Sequence, residues 1–195
     1  DVERSRGLGD VYKRQTYTRP CCTADLKIKD TKSLTKDISN LKSALKKNNH
    51  SHGFINSASP GVISNFLPNK FYKSDDDYLQ ALSKIMKTEY DEITKNDLFL
   101  QIDCPDLALA RHMTFKNVSD EEFLVRAEKQ IECLNEAIKD IDASKLRMHI
   151  CWGNYEGPHI HDIGLEKILP IALKANIQTY LTVSYTHLRA HETSL

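Results

Sequence analysis

His149 and Cys151 stand two residues apart in the run LRMHICW, residues 146–152. On an extended strand that spacing sends both side chains to the same face. An imidazole and a thiolate are suitable donors for tetrahedral zinc, at roughly 2.0–2.3 Å from the metal. An isolated H-x-C also describes a core cysteine beside a satisfied strand histidine, so the rest of the chain must decide. Asp103 closes the apolar run LFLQID, residues 98–103, where its carboxylate can cap a loop or hold a substrate ammonium by charge-assisted hydrogen bonds. Ser57, Ser59 and Gly61 follow another apolar run; they can line a substrate site or simply make a Ser-Pro-Gly turn. His159 and His161 alternate like a ligand pair, but they sit beside Pro158 in a polar loop and read as supporting residues. Cys104 and Trp152 point away from the Asp103 and His149 faces and read as packing. Cys21 and Cys22 are adjacent, which excludes an ordinary disulfide between them, and receive no function.

The elements that would position these groups alternate between short strands and long amphipathic helices, the pattern of a parallel α/β protein. Residues 37–47 place Ile38, Leu41 and Leu45 on one helical face, and a strand is expected from about Gly53. Ser74 followed by Asp75, Asp76 and Asp77 predicts a capped helix running to about Thr94. Residues 98–103 form a buried strand, stopped by Pro105. Ser119 with Glu122 is a capping-box signature ahead of a helix burying Phe123, Ala127, Ile131, Leu134 and Ile138. A strand over 146–152, a helix around 165–174 and a final strand near NIQTYLT complete the series. In such proteins ligands bind at the carboxyl ends of the strands, which is where Ser57–Ser59, Asp103 and His149–Asn154 fall.

The 195 residues suffice for one domain with a substantial core. Lys plus Arg and Asp plus Glu both total 27, so no excess charge is available to hold nucleic acid or an anionic membrane surface. No apolar run approaches the roughly 20 residues needed to span a bilayer. Five cysteines without framework spacing fit a reducing compartment, and the cytoplasm is the expected location. Residues 1–15 and 183–195 lack the periodicity of the rest and resemble translated sequencing-adapter sequence, so the native domain is expected over 16–182. His187 and His191 lie in the second of these tails and are not counted as ligands.

Three stretches, FINSASPG, LFLQIDCPDLAL and MHICWGN, resemble cobalamin-independent methionine synthase, most closely the stand-alone relatives of its carboxy-terminal catalytic domain. The resemblance covers about 16–181 and implies part of a (β/α)8 TIM barrel, from the third strand to the start of the seventh. It assigns His149 and Cys151 as two zinc ligands and Asp103 as the contact for the amino group of homocysteine. It further implies that Zn2+ activates the thiol of this small-molecule substrate, that methyltetrahydrofolate donates the methyl group, and that the product is methionine. A thiol of pKa about 8.5 is a poor nucleophile when protonated, and a cationic metal makes its thiolate available. The family's third ligand, a glutamate, and its fourth, a cysteine, have no counterpart here, nor does its proton-moving histidine. This polypeptide is therefore expected to be an inactive fragment of an S-methyltransferase. A related zinc transferase acting on another thiol or an epoxide would keep the same pair. A uroporphyrinogen decarboxylase-like barrel would share the architecture without needing H-x-C, and a truncated, inactive barrel is the non-enzymatic alternative.

Overall fold

The computed structural model describes residues 20–153 and 158–182. Residues 1–15 and 183–195, expected to be non-native, lie outside the described residues. In order, the chain forms α1 (Lys32–Lys47), β1 (Phe54–Ala58), α2 (Pro60–Phe66), α3 (Asp75–Lys95), β2 (Phe99–Asp103), a 3-10 turn (Pro105–Leu107) and α4 (Leu109–Met113). There follow α5 (Asp120–Ile138), a second 3-10 turn (Ala143–Lys145), β3 (Leu146–His149), α6 (Leu165–Ala172) and β4 (Thr179–Leu181). The four strands make one parallel sheet in the order β1-β2-β3-β4, so the expected α/β class holds.

The long helices form for the reasons their sequences announce. Ser74 accepts a hydrogen bond from the Asp77 N–H, and three aspartates occupy the positive first turn of α3. Ser119 and Glu122 complete a reciprocal capping box at α5. Asn49 and Asp97, just past α1 and α3, take left-handed φ values of 55° and 60°, the conformation that ends a helix and frees its chain to turn. Two boundaries differ from expectation. α1 begins at Lys32, well ahead of Asp37, because nothing at 32–36 breaks the helical backbone. β3 pairs only to His149 rather than Trp152, since β4 ends opposite that residue; even so, the Ile150 N–H donates to the Leu181 carbonyl at 2.9 Å.

The two faces of the sheet differ sharply. Leu100, Ile102, Leu146, Met148 and Ile150 are fully buried against Tyr90 and Ile93 of α3 and Leu134 and Ile138 of α5. At about 1.5–3 kcal/mol for each large side chain removed from water, this layer dominates the stability of the fold. The opposite face carries Phe54 and Asn56 of β1 and Thr179 of β4, all exposed to solvent. On it the Arg147 guanidinium lies 4.4 Å above the centre of the Phe54 ring. Asp103 and His149 also belong to this face, at the carboxyl ends of adjacent strands.

Candidate functional site at the carboxyl ends of the strands

Parallel register makes Asp103 and His149 direct partners across β2 and β3. Their side chains meet: His149 Nδ1 lies 2.5 Å from Asp103 Oδ1. With the carboxylate as acceptor, the proton of this contact would sit on Nδ1, which would leave the lone pair on the other ring nitrogen, Nε2. The pair is open to ligands, with the His149 side chain 27% and the Asp103 side chain 47% exposed.

Cys151 follows on the same side. Ile150 and Trp152 are buried in the core while His149 and Cys151 are only half-buried, the alternation of extended backbone. The Gly153 N–H donates to Cys151 Sγ at 3.0 Å, and the Leu109 N–H holds the Cys151 carbonyl at 3.1 Å. Gly153 needs to be glycine: its φ is +83°, and an added Cβ would stand 2.8 Å from Leu109 Cδ1. Trp152 is anchored in the opposite direction by its indole N–H, which donates to the Ile163 carbonyl at 2.8 Å.

Ser59 serves the backbone of this region. It is 2% exposed, caps α2 by accepting from the Val62 N–H, and donates its hydroxyl to Asp106 Oδ1 at 2.6 Å. The Ser-Pro-Gly segment is thus the start of a helix, with Pro60 at its first position, rather than an isolated turn. Asp106 is itself buried, and loss of water pushes its carboxyl up to about 6 against the lowering pull of the Ser59 hydroxyl. Gly61 allows this packing; a Cβ there would meet Asp106 Oδ2 at 2.0 Å. Beside Asp106 lies a largely apolar cavity of about 560 Å³, walled by Val62, Phe66, Leu109 and Met113 among others. Ser57 is engaged elsewhere, donating to Glu89 Oε1 of α3 at 2.5 Å.

No family model, curated protein or solved structure matches the chain.

The candidate residues therefore divide into two groups. Asp103, His149 and Cys151 share the solvent-facing side of the strand ends, whereas Ser59 lies beneath them, linked to Asp106. His159 and His161 join a separate cluster. His159 Nδ1 is 2.9 Å from Asp162 Oδ2, His112 Nδ1 is 3.6 Å from Asp162 Oδ1, and the His112 ring centre stands 5.5 and 5.7 Å from those of His159 and His161. Burial raises the Asp162 carboxyl, and the adjacent histidines oppose the shift. His112 was not singled out in the sequence because α4 is only one turn long and has no capping signal. Asp106 had one, as a second carboxylate three residues beyond a strand-ending aspartate.

His149 Nε2 and Cys151 Sγ are the donor types that zinc takes, and a histidine whose other nitrogen is held by a carboxylate is the usual form of such a ligand. Two donors are half of a tetrahedral set. Among the described residues no group of three or more His, Cys, Asp or Glu side chains is placed to hold a metal ion. Nor, among them, is any helix long and apolar enough to cross a membrane.

Proposed function

We propose that this chain is part of a zinc-dependent, thiol-activating methyltransferase barrel, in which His149 and Cys151 are two metal ligands and a small-molecule thiol such as homocysteine is the methyl acceptor. The observation that carries the reading is the meeting of Asp103 with His149 at the carboxyl ends of neighbouring parallel strands, with Cys151 next on the same side. The four strands would be half of a (β/α)8 barrel. All-parallel sheets are almost always covered on both faces, so the solvent-facing side bearing Phe54, Asn56 and Thr179 is the side that would line the barrel's interior.

Bound zinc would supply a cationic centre that keeps the acceptor sulfur deprotonated. The protein's own residues account for the rest. Asp103 Oδ2 is available to hold an ammonium while Oδ1 engages His149, which would align the acceptor sulfur toward a methyl donor such as methyltetrahydrofolate. The remaining zinc donors and any proton-transfer group would come from outside the described residues. The test is zinc affinity in the purified chain, read by competition with a chromophoric chelator. Cys151→Ala and His149→Ala should each weaken binding at least tenfold, and equal affinity in both variants and the parent would exclude these ligands.

A further inference from the structure

Resting on the zinc reading above, we infer that Asp103 is a positioning residue for His149, fixing its tautomer and ring orientation so that Nε2 is the nitrogen presented to the metal. The resemblance gives Asp103 only a contact with the substrate amine. The geometry gives it an earlier task. Asp103 and His149 are opposite one another in the parallel register, and the backbone around them is tied down: the Cys104 N–H donates to the His149 carbonyl at 2.8 Å, and the Ser59 N–H donates to the Asp103 carbonyl at 3.0 Å. The side chains thus start from fixed Cα positions, and Asp103 Oδ1 reaches Nδ1 at 2.5 Å. An unconstrained neutral histidine prefers its proton on Nε2. Donation of Nδ1–H to a carboxylate reverses that preference, exposes the Nε2 lone pair and makes the imidazole a more basic ligand.

The arrangement also joins two binding events through one carboxylate. Oδ1 faces the metal ligand and Oδ2 remains for a substrate ammonium. Replacing Asp103 should therefore weaken metal binding even when no substrate is present, which a carboxylate serving only the amine would not do.

The experiment uses the metal-free chain, at a pH above the range in which imidazoles titrate. Long-range ¹H–¹⁵N correlation of the ring nitrogens reports the tautomer, and the His149 signals are those missing from His149→Ala. Wild type should show the proton on Nδ1. Asp103→Ala should return it to Nε2, whereas Asp103→Asn should keep it on Nδ1, because the amide oxygen still accepts. Asp103 is half-exposed, and in Asp103→Ala water can reach the freed Nδ1, so the backbone amide spectrum should match wild type outside the strand ends.

Zinc titration of the same proteins gives the second readout. Asp103→Ala should lower affinity about 10–100-fold, with Asp103→Asn between it and wild type. A wild-type proton on Nε2, or a tautomer unchanged in Asp103→Ala, would overturn the inference. So would undiminished zinc affinity in Asp103→Ala while His149→Ala loses it; in that case the zinc reading itself would stand. Zinc affinity unchanged in His149→Ala would instead remove the zinc reading, and with it the purpose assigned to the pair.

Discussion

Asp106→Asn should make the protein more stable at neutral pH, and the gain should disappear in acid. Asp106 is 3% exposed, and burial lifts its carboxyl from 3.8 to about 6. A raised folded-state value means that the fold favours the protonated acid. Its contribution is fully present below about pH 4, and is lost as pH rises through about 6. The difference is about 2 pKa units, so at about 1.4 kcal/mol per unit the ionised carboxylate costs on the order of 3 kcal/mol at pH 7. Asparagine is never charged, and its carbonyl oxygen can still accept from the Ser59 hydroxyl, which lies 2.6 Å from Oδ1 in the parent. Urea unfolding of both proteins at pH 4, 5, 6 and 7 would read the difference as a shift in midpoint at constant slope. The variant's advantage should be near zero at pH 4 and should grow by about 2–3 kcal/mol up to pH 7. A difference independent of pH, or one favouring aspartate at pH 7, would refute the assignment of Asp106 as a carboxyl destabilised by burial.

Gly61→Ala should cost about 2–3 kcal/mol, since its Cβ would press on Asp106 Oδ2 at 2.0 Å and displace the Ser59 hydrogen bond. The cost should shrink in an Asp106→Ala background, a non-additivity measurable by a double-mutant cycle. Tyr90→Phe should lose about 1–2 kcal/mol in thermal or urea unfolding, because the buried hydroxyl donates to the Ala58 carbonyl at 2.6 Å. Ser119→Ala should cost about 1 kcal/mol by opening the capping box of α5, and Ser119→Thr should restore most of it.

Local chemistry made the helices and strands legible in the sequence. Ser74, Ser119 and Glu122 announce helix starts by side-chain bonds that span only three residues, and the apolar runs at 98–103 and 146–152 need no distant partner to be read as strands. Periodicity also separated the two faces correctly, placing Cys104 and Trp152 in the core and leaving Asp103, His149 and Cys151 on the other side. Less of the site could be seen that way. Ser59 was legible as a polar residue at a strand end, yet its burial beneath the surface and its bond to Asp106 depend on α2 folding back over residues 47 positions later in the chain.

What the sequence determined alone is therefore the class of the fold, the order of its main elements and the donor types at the strand ends. Each follows from interactions between residues close along the chain. Tertiary structure alone decided that β2 and β3 pair in a register that sets Asp103 opposite His149, that Asp106 is buried deeply enough to raise its carboxyl, and that His112 joins His159 and Asp162. Those facts depend on register, solvent exclusion and contacts between distant segments. Local spacing marks Asp106 as a second carboxylate near a strand end, but not its burial, and it marks neither of the other two contacts.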